Sequence, residues 1–198
     1  YAKANMSEYE LSDEILIAKF QKGDISAYNQ LVYRYKDRLL NFIYRFLNDL
    51  DRSEDLVQDT LLKLYTHKDS YQEIAKFSTW LYTIAANMAR TELRKIKRRK
   101  TFSVTELSYE DREFIISSSD SDPSEDNLSK NFEKYINKAL SELPDDFKTI
   151  IILRDIQELS YDEISKIVKL PLGTVKSRIN RGRVKLQQLL KKKGERPY

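Results

Sequence analysis

The stretch 159–186 reads LSYDEISKIVKLPLGTVKSRINRGRVKL, and it decides the fold of the C-terminal part of the chain. Ser160 followed three residues later by Glu163 is the signature of a capping box, so a short helix is predicted over residues 161–168. The proline and glycine within LPLG indicate a turn, and a longer helix is predicted over residues 174–191. Two helices joined by such a turn form a helix-turn-helix.

The longer helix separates into two faces when its residues are placed at about 100° per residue. One face is mainly apolar and predicts a core contact: Val175, Ile179, Gly182, Leu186 and Leu189. The opposite face is mostly polar: Ser177, Asn180, Arg181 and Val184, with Lys176, Arg183, Arg178 and Lys185 along its edges. Such a face suits a DNA major groove, where base edges are read at the centre and phosphates are bound at the rims. A solvated basic face is the plainer alternative.

Gly182 lies on the apolar face, away from the predicted DNA contact. A glycine inside a helix costs up to about 1 kcal/mol relative to alanine. Its position therefore predicts that another helix approaches closely at this residue.

The rest of the chain also reads as helical. Its 198 residues include only four Gly and four Pro, and no segment alternates apolar and polar residues between turn signals as strands do. Further helices are predicted over residues 12–21, 25–47, 52–67, 77–98, 124–142 and 145–156. The sequence therefore predicts an all-α fold of two small helical domains.

The distribution of charge predicts where the two domains meet. The chain is only mildly basic, with a net charge of +4, but its cations are concentrated in residues 94–100 and 176–193. Between these blocks lies an acidic segment that predicts a flexible linker. The predicted order is residues 1–5 as added or disordered sequence, a domain over 6–100, the acidic linker over 101–123 and a second domain over 124–194.

The segment KFSTWLYTIAANMARTELRKIKRR, residues 76–99, also divides into faces. Its inward positions are Phe77, Leu81, Ile84 and Met88, and its opposite positions are Thr79, Thr83, Arg90, Arg94 and Lys97, with Trp80 and Asn87 at the edge. Cations mixed with hydroxyl, amide and aromatic groups suit unpaired bases, which need a stacking surface and hydrogen bonds. A role in the core is the alternative for Trp80, and the spacing leaves the role of Asn87 open.

A semi-polar stripe precedes this helix. Asp55, Gln58, Asp59 and Leu62 follow the spacing of one helix face. A face of acidic, amide and leucine side chains fits either a protein partner with basic residues or a solvated surface, and the sequence alone leaves both open.

Two other classes of protein fit the sequence poorly. An enzyme is disfavoured because His67 is the single histidine, cysteine is absent and no glycine-rich phosphate loop occurs, so we expect no cofactor and no metal. A helix-turn-helix response regulator would need alternating strands and helices in its N-terminal half, and this sequence shows no such pattern there. No stretch reaches the roughly 20 apolar residues of a membrane span, so we expect no membrane insertion and a place in the cytoplasm.

Three motifs in order carry a resemblance to a family. They are EDLVQDTLLKLY, FSTWLYTIAANMARTELRK and ELPDDFKTIIILRDIQELSYDEISKIVKLPLGTVKSRINRGRVKL. Together they closely resemble the extracytoplasmic-function (ECF) sigma factors of the sigma-70 family of bacterial RNA polymerase. The resemblance spans nearly all of residues 20–192. It implies a non-catalytic initiation subunit with two helical domains, region 2 and region 4.

The resemblance also implies partners and site residues. Core RNA polymerase would be bound through the β′ clamp helices and the β flap, with Asp55, Gln58, Asp59 and Leu62 in the first of these contacts. An anti-sigma factor is a further implied partner. Promoter DNA would be read at the minus-10 element by Lys76, Phe77, Trp80, Thr83, Asn87, Arg90 and Arg94, and at the minus-35 element by Lys176, Ser177, Arg178, Asn180, Arg181 and Val184. Residues 69–76 match the loop that holds a flipped-out base.

Overall fold

The computed structural model describes residues 11–106 and 135–192. Residues 1–10, most of the predicted linker and the predicted start of the helix over 124–142 lie outside the described residues. Within the described part of the chain every regular element is helical and no strand occurs, so the prediction of an all-α fold is confirmed.

Four α-helices make up most of the N-terminal body. They are α1 (Asp13–Gln21), α2 (Ile25–Leu47), α3 (Leu50–Thr66) and α4 (Phe77–Glu106). The side chains of Ser12, Asp24 and Asp49 each accept a backbone hydrogen bond in the first turn of α1, α2 and α3. These caps satisfy amides that a helix start leaves without partners, so they fix where the helices begin.

Several helix boundaries differ from the prediction by one residue or more, and two of these differences have a local cause. Helix α3 begins earlier because Asn48 adopts a left-handed conformation (φ 52°) that ends α2, after which Asp49 caps α3 directly. Helix α4 continues to Glu106, six residues into the segment predicted as linker. No proline or glycine occurs in residues 77–106, so the local sequence holds no helix breaker.

The core of this body is rich in aromatic side chains. Phe20, Phe42, Phe46 and Phe77 are fully buried, and neighbouring rings contact one another edge to face or at a tilt. Large rings bury more apolar area than aliphatic side chains do, and edge contacts add roughly 0.5–1.5 kcal/mol a pair. This aromatic core therefore fixes the positions of α3 and α4 within the bundle.

The C-terminal body contains the predicted helix-turn-helix. Its elements are α5 (residues 135–142), α6 (Asp145–Ile151) with a π-helical turn (Ile152–Ile156), α7 (Tyr161–Val168) and α8 (Leu172–Lys192). The capping box at the start of α7 is present as predicted. One oxygen of the Glu163 carboxylate, Oε2, accepts from the Ser160 amide at 2.8 Å and from the Ser160 hydroxyl at 2.7 Å.

Helix α6 packs closely against α8 at Gly182. A Cβ atom at this position would lie 3.0 Å from Cγ1 of Ile151 and 3.5 Å from Cβ of Phe147. The prediction that this glycine admits a packed helix is therefore confirmed. The neighbouring core positions Val175 and Ile179 are fully buried, as the helical periodicity indicated.

The two bodies pack against each other. Lys148 of α6 is 2% exposed, and its Nζ atom donates to the carbonyl of Phe46 at the end of α2, at 2.7 Å. Arg45 of α2 donates to Asn137, and Tyr82 of α4 donates to the side chain of Gln157. Helix α4 lies along α7 as well. The arrangement brings acidic residues of the C-terminal body next to cations of α4.

Candidate nucleic-acid and polymerase interfaces

The outer face of α8 is exposed as the sequence predicts. Asn180 and Arg181 are exposed, and Val184 keeps 53% of its surface accessible. The Ser177 hydroxyl donates to the carbonyl of Thr174 at 3.0 Å and accepts from Nη2 of Arg181 at 3.2 Å. An amide, a guanidinium and an apolar methyl surface therefore stand together, which is the set of groups that reads base edges in a major groove.

The edges of this face are partly engaged within the C-terminal body. Arg178 forms an ion pair with Asp146 at 3.0 Å, and Arg183 forms one with Asp155, which raises the pKa of Arg183 through its hydrogen bond. Lys176 is exposed. Because the Asp146 side chain is 71% exposed, its pair with Arg178 is solvated and weak, so a phosphate can replace the carboxylate.

A second candidate site is an open groove of about 550 Å³ between α3 and α4. Trp80 and Asn87 of α4, predicted to contact DNA, both line this groove. His67 and Ser70 from the connection between the helices line it too, and neither was among the predicted site residues. A ring surface beside amide, hydroxyl and imidazole groups offers both stacking and hydrogen bonding to an unpaired base.

His67 has a defined hydrogen-bond partner. The Thr66 hydroxyl lies 2.8 Å from Nδ1 of His67 and donates to the carbonyl of Leu62 at 2.9 Å. The contact with Thr66 leaves Nε2 as the ring nitrogen available to a base, and the tautomer of the ring decides whether Nε2 donates or accepts. In the sequence, the only indication of this hydrogen bond is that Thr66 directly precedes His67.

Phe77 was predicted among the DNA contacts, and the structure argues against that role. Its side chain is fully buried, with its ring 5.5 Å from that of Tyr35 and 5.9 Å from that of Tyr71. Phe77 follows the inward spacing of Leu81, so its own periodicity places it in the core. In this arrangement Phe77 supports the start of α4 and offers no surface to a nucleic acid.

The face of α4 predicted to point outward instead borders the C-terminal body. Lys76 pairs with Oε1 of Glu163 at 3.0 Å, and Lys97 pairs with Asp145 at 2.8 Å. Arg90 donates to the Thr149 hydroxyl at 3.4 Å, and Arg94 lines a cavity of about 230 Å³ together with Arg90 and Asp145. The expectation of a solvent-facing surface here is therefore wrong for this arrangement.

Burial and hydrogen bonds in this border region shift the pKa values of its charged groups. Burial lowers the pKa of the Arg90 guanidinium, and the hydrogen bond to Glu163 raises the pKa of Lys76. Burial alone would raise the pKa of Glu163, but hydrogen bonds from Ser160 and Lys76 outweigh it and lower the pKa. Thr83, predicted on the same face, is half-buried and donates to the carbonyl of Thr79 at 2.7 Å.

The predicted polymerase stripe lies on the outside of α3. Asp55, Gln58 and Asp59 are exposed, and Leu62 is 59% exposed. Tyr65, one turn further along, is 45% exposed and adds an aromatic side chain beside the predicted stripe. A large apolar side chain left exposed beside carboxylates is typical of a protein interface, whose centre is apolar and whose rim is polar. Asp59 also lines the groove between α3 and α4.

Comparison with known proteins gives consistent matches over both bodies. The sigma-70 region 2 family matches residues 31–99, and the sigma-70, region 4 family matches residues 133–186. The ECF RNA polymerase sigma factor SigW of Bacillus subtilis is 35% identical over 178 residues, which are 88% of this chain and 95% of that protein. The ECF RNA polymerase sigma-E factor of Escherichia coli K12 is 37% identical over 180 residues, which are 90% of this chain and 93% of that protein.

A solved structure agrees with these matches. The sigma factor RpoE of Bartonella quintana, in complex with the anti-sigma factor NepR, superimposes with a TM-score of 0.61 at 30% identity, over 82% of this chain and 96% of that chain. None of the helices in the described residues is long and apolar enough to cross a membrane. With region 2 in its N-terminal body and region 4 in its C-terminal body, the chain belongs to the ECF group of the sigma-70 family of RNA polymerase sigma factors.

Proposed function

We propose that the chain is an alternative sigma factor that binds core RNA polymerase and directs promoter recognition, strand opening and the start of transcription. One observation supports this proposal most strongly: a basic helix-turn-helix and a groove suited to unpaired bases occur in one chain of this family. The chain supplies binding energy and no covalent chemistry, so it acts as a non-catalytic subunit.

Region 4 would read duplex DNA at the minus-35 element through the outer face of α8. Asn180, Arg181 and Ser177 offer hydrogen-bonding groups, and Val184 offers an apolar surface to a thymine methyl group. Lys176 and Arg178 would bind phosphates at the rim of the groove, Arg178 after release from Asp146.

Region 2 would capture the opened strand at the minus-10 element. The indole of Trp80 offers a stacking surface, and Asn87 offers an amide with two donors and an acceptor in the same groove. Flipping one base costs a few kcal/mol. Stacking on an aromatic side chain returns about 1–3 kcal/mol per base, so stacking and phosphate contacts together can hold the strand open.

The polymerase contact would lie on α3. Its exposed carboxylates at Asp55 and Asp59 fit a basic partner surface, and the exposed side chains of Leu62 and Tyr65 fit an apolar contact beside it.

The compact arrangement of the two regions has to open before both promoter elements can be read. Elements centred about 25 base pairs apart lie roughly 85 Å apart along duplex DNA at about 3.4 Å per base pair. A compact chain of this length has a radius of gyration of about 16 Å, so its two reading surfaces cannot span that distance. Lys76, Arg90 and Arg94 would become free for the DNA backbone only when Glu163 and Asp145 move away with region 4.

An anti-sigma factor would favour the compact arrangement. The support is the solved relative that matches both regions, which is held by its anti-sigma factor NepR. A partner that binds the closed form better than the open form shifts the equilibrium by its difference in affinity and needs no further device.

Transcription by reconstituted polymerase tests the proposal. The purified chain is added to sigma-free core polymerase, and run-off transcripts are sequenced from a genomic DNA library. We expect transcripts that start at a small set of sites sharing two sequence elements. A D55N/D59N double variant should lose initiation, while the matched change D37N on the exposed side of α2 should keep it. Complex formation without initiation on any template would contradict the proposal.

A further inference from the structure

The connection between α3 and α4, residues 67–76, supplies part of the groove that would hold an unpaired base. It forms one turn of 3-10 helix at Lys68–Ser70 and has little regular structure beyond it. His67 and Ser70 of this connection line the groove together with Trp80 and Asn87. The shape of the groove therefore depends on what holds the connection in place.

Helix α1 binds this connection through the side chain of Gln21. The Gln21 amide nitrogen Nε2 donates to the carbonyl of Lys68 at 2.8 Å and to the carbonyl of Tyr71 at 3.1 Å. These two carbonyls directly follow the two groove residues, since Lys68 follows His67 and Tyr71 follows Ser70. One primary amide, which has two N–H groups, thus fixes the backbone at both places.

A second contact from α1 holds the far end of the connection. The Oε1 atom of Glu14 accepts from the backbone amide of Phe77, the first residue of α4, at 3.2 Å. This carboxylate therefore satisfies an amide at the start of α4 and lies at the positive end of the helix dipole, although it comes from another helix.

Helix α1 is itself held in place by contacts with α2, so it can position the connection. Asp13 accepts from Arg34 of α2 at 2.7 Å and also from the hydroxyl of Tyr35. At the other end of α1, Nζ of Lys68 donates to the carbonyl of Phe20 at 2.9 Å and lies 4.6 Å from the centre of its ring. Contacts in both directions join α1 and the connection into one unit with α2.

We propose that Gln21 and Glu14 are positioning residues for base recognition. They hold the connection so that His67 and Ser70 form one groove with Trp80 and Asn87, and this geometry sets which base the groove accepts. The inference rests on the proposed function, because it assumes that the groove binds the opened promoter strand. It adds residues of α1, which lies before the part of the chain that the region 2 family matches.

His67 contributes one hydrogen-bonding atom to the groove. Its Nδ1 atom lies 2.8 Å from the Thr66 hydroxyl, so Nε2 is the ring nitrogen left for a bound base. One ring nitrogen distinguishes bases by whether the edge that faces it carries a donor or an acceptor. The geometry assigns this discrimination to the position bound next to His67.

Selection from a randomised pool tests the inference without a known promoter. The full chain bound to core polymerase is mixed with single-stranded DNA oligonucleotides randomised over six positions, and the bound fraction is sequenced. The wild type should enrich one or two of the four bases at one position. Gln21→Glu keeps the size of the side chain but removes both N–H donors, so it should reduce that enrichment at least fivefold. Total binding to core polymerase should stay within twofold.

Two pairs of variants separate positioning from simple loss of structure. Glu14→Gln retains an oxygen that accepts from Phe77 and should keep the enrichment, whereas Glu14→Leu should lose it. Gln30→Glu makes the same chemical change as Gln21→Glu at an exposed site on α2 and should have no effect. Thermal unfolding by circular dichroism checks that each variant keeps its helices, and the Glu14 pair tests the inference should Gln21→Glu fail to fold.

The outcomes distinguish this inference from the proposed function. A wild-type complex that enriches no base overturns base recognition by the groove and with it this inference, whereas the run-off transcription assay decides the proposed function. If the wild type discriminates and Gln21→Glu discriminates equally well, only the role of α1 is overturned. A variant that loses affinity equally for every sequence also overturns positioning, because a positioning residue must change the preference.

Discussion

The buried Lys148 makes the closed arrangement of the two regions depend on pH. Desolvation lowers the pKa of Lys148 from 10.5 to about 8, because its amine is enclosed between α6 and the end of α2. When the regions separate, the amine returns to water and its pKa returns to the usual value. We therefore predict that the closed arrangement becomes more stable as the pH rises from 7.5 to 9.5.

The direction and the size of this pH effect follow from the number of protons that the closed and open forms bind. Between the two pKa values the closed form has lost a proton that the open form retains, so rising pH favours the closed form. Each pH unit inside this window contributes about 1.36 kcal/mol, and the lower half-unit of the interval lies outside the window. The closing equilibrium should therefore shift by about 2 kcal/mol, or roughly 30-fold, between pH 7.5 and 9.5.

Energy transfer between two dyes measures this equilibrium directly. The chain contains no cysteine, so Gln30→Cys on α2 and Gln187→Cys on α8 give two unique labelling sites at exposed positions. Single-molecule measurements then count closed and open molecules at each pH. The change Lys148→Met keeps the length of the side chain and removes the titrating group, so the pH dependence should disappear.

The matched control is Lys166→Met, which removes an exposed lysine of α7 and should leave the pH dependence intact. A closed fraction that is constant across the pH range, or that falls as pH rises, would refute the reasoning. So would a pH dependence in Lys148→Met equal to that of the wild type.

Further predictions concern packing and DNA recognition. Gly182→Val should lower the free energy of unfolding of region 4 by about 1–3 kcal/mol in urea denaturation, because the new side chain meets Ile151 at a site where a Cβ atom alone is 3.0 Å away. Thr79→Val should be neutral or stabilising by up to about 1 kcal/mol, since the buried Thr79 hydroxyl has no hydrogen-bond partner among the described residues. In duplex binding assays, Arg181→Ala should cost about 1–3 kcal/mol at one base position, whereas Lys176→Ala should weaken all sequences and reduce the salt dependence; equal effects on every sequence would contradict these roles.

Much of region 4 could be predicted from its sequence because its signals are local. The capping box at Ser160, the apolar spacing of Val175 and Ile179, and the interior Gly182 each report on contacts within one helix or with its neighbour. Local periodicity decides which side of such a helix is buried. The exposed side of α8 follows from the same rule.

The second buried face of α4 could not be predicted in this way. Arg90 and Lys97 read as solvent-facing because they are polar, yet both bind side chains of region 4. What covers them lies about 50 residues or more along the chain, in acids such as Asp145 and hydroxyls such as Thr149. A hydropathy pattern finds the apolar face of a helix, but it has no signal for a polar face buried against complementary charge.

The contribution of α1 was hidden for a related reason. Gln21 is a common helix residue, and its importance comes from two carbonyls that are 47 and 50 residues away. The groove residue His67 likewise depends on how its chain segment folds back on α4. Side chains that bind backbone groups across such distances are recognised only once the tertiary structure is known.

The two oxygens of the Glu163 carboxylate bind different partners. This difference predicts how the amide hydrogens of the two regions exchange with solvent. The Oε2 atom holds the start of α7, and only the Oε1 atom binds Lys76 of region 2. Opening therefore releases one oxygen and leaves the cap intact. The first turn of α7 should stay protected from deuterium while the regions are apart, so separation and unfolding would appear as two events with separate exchange rates.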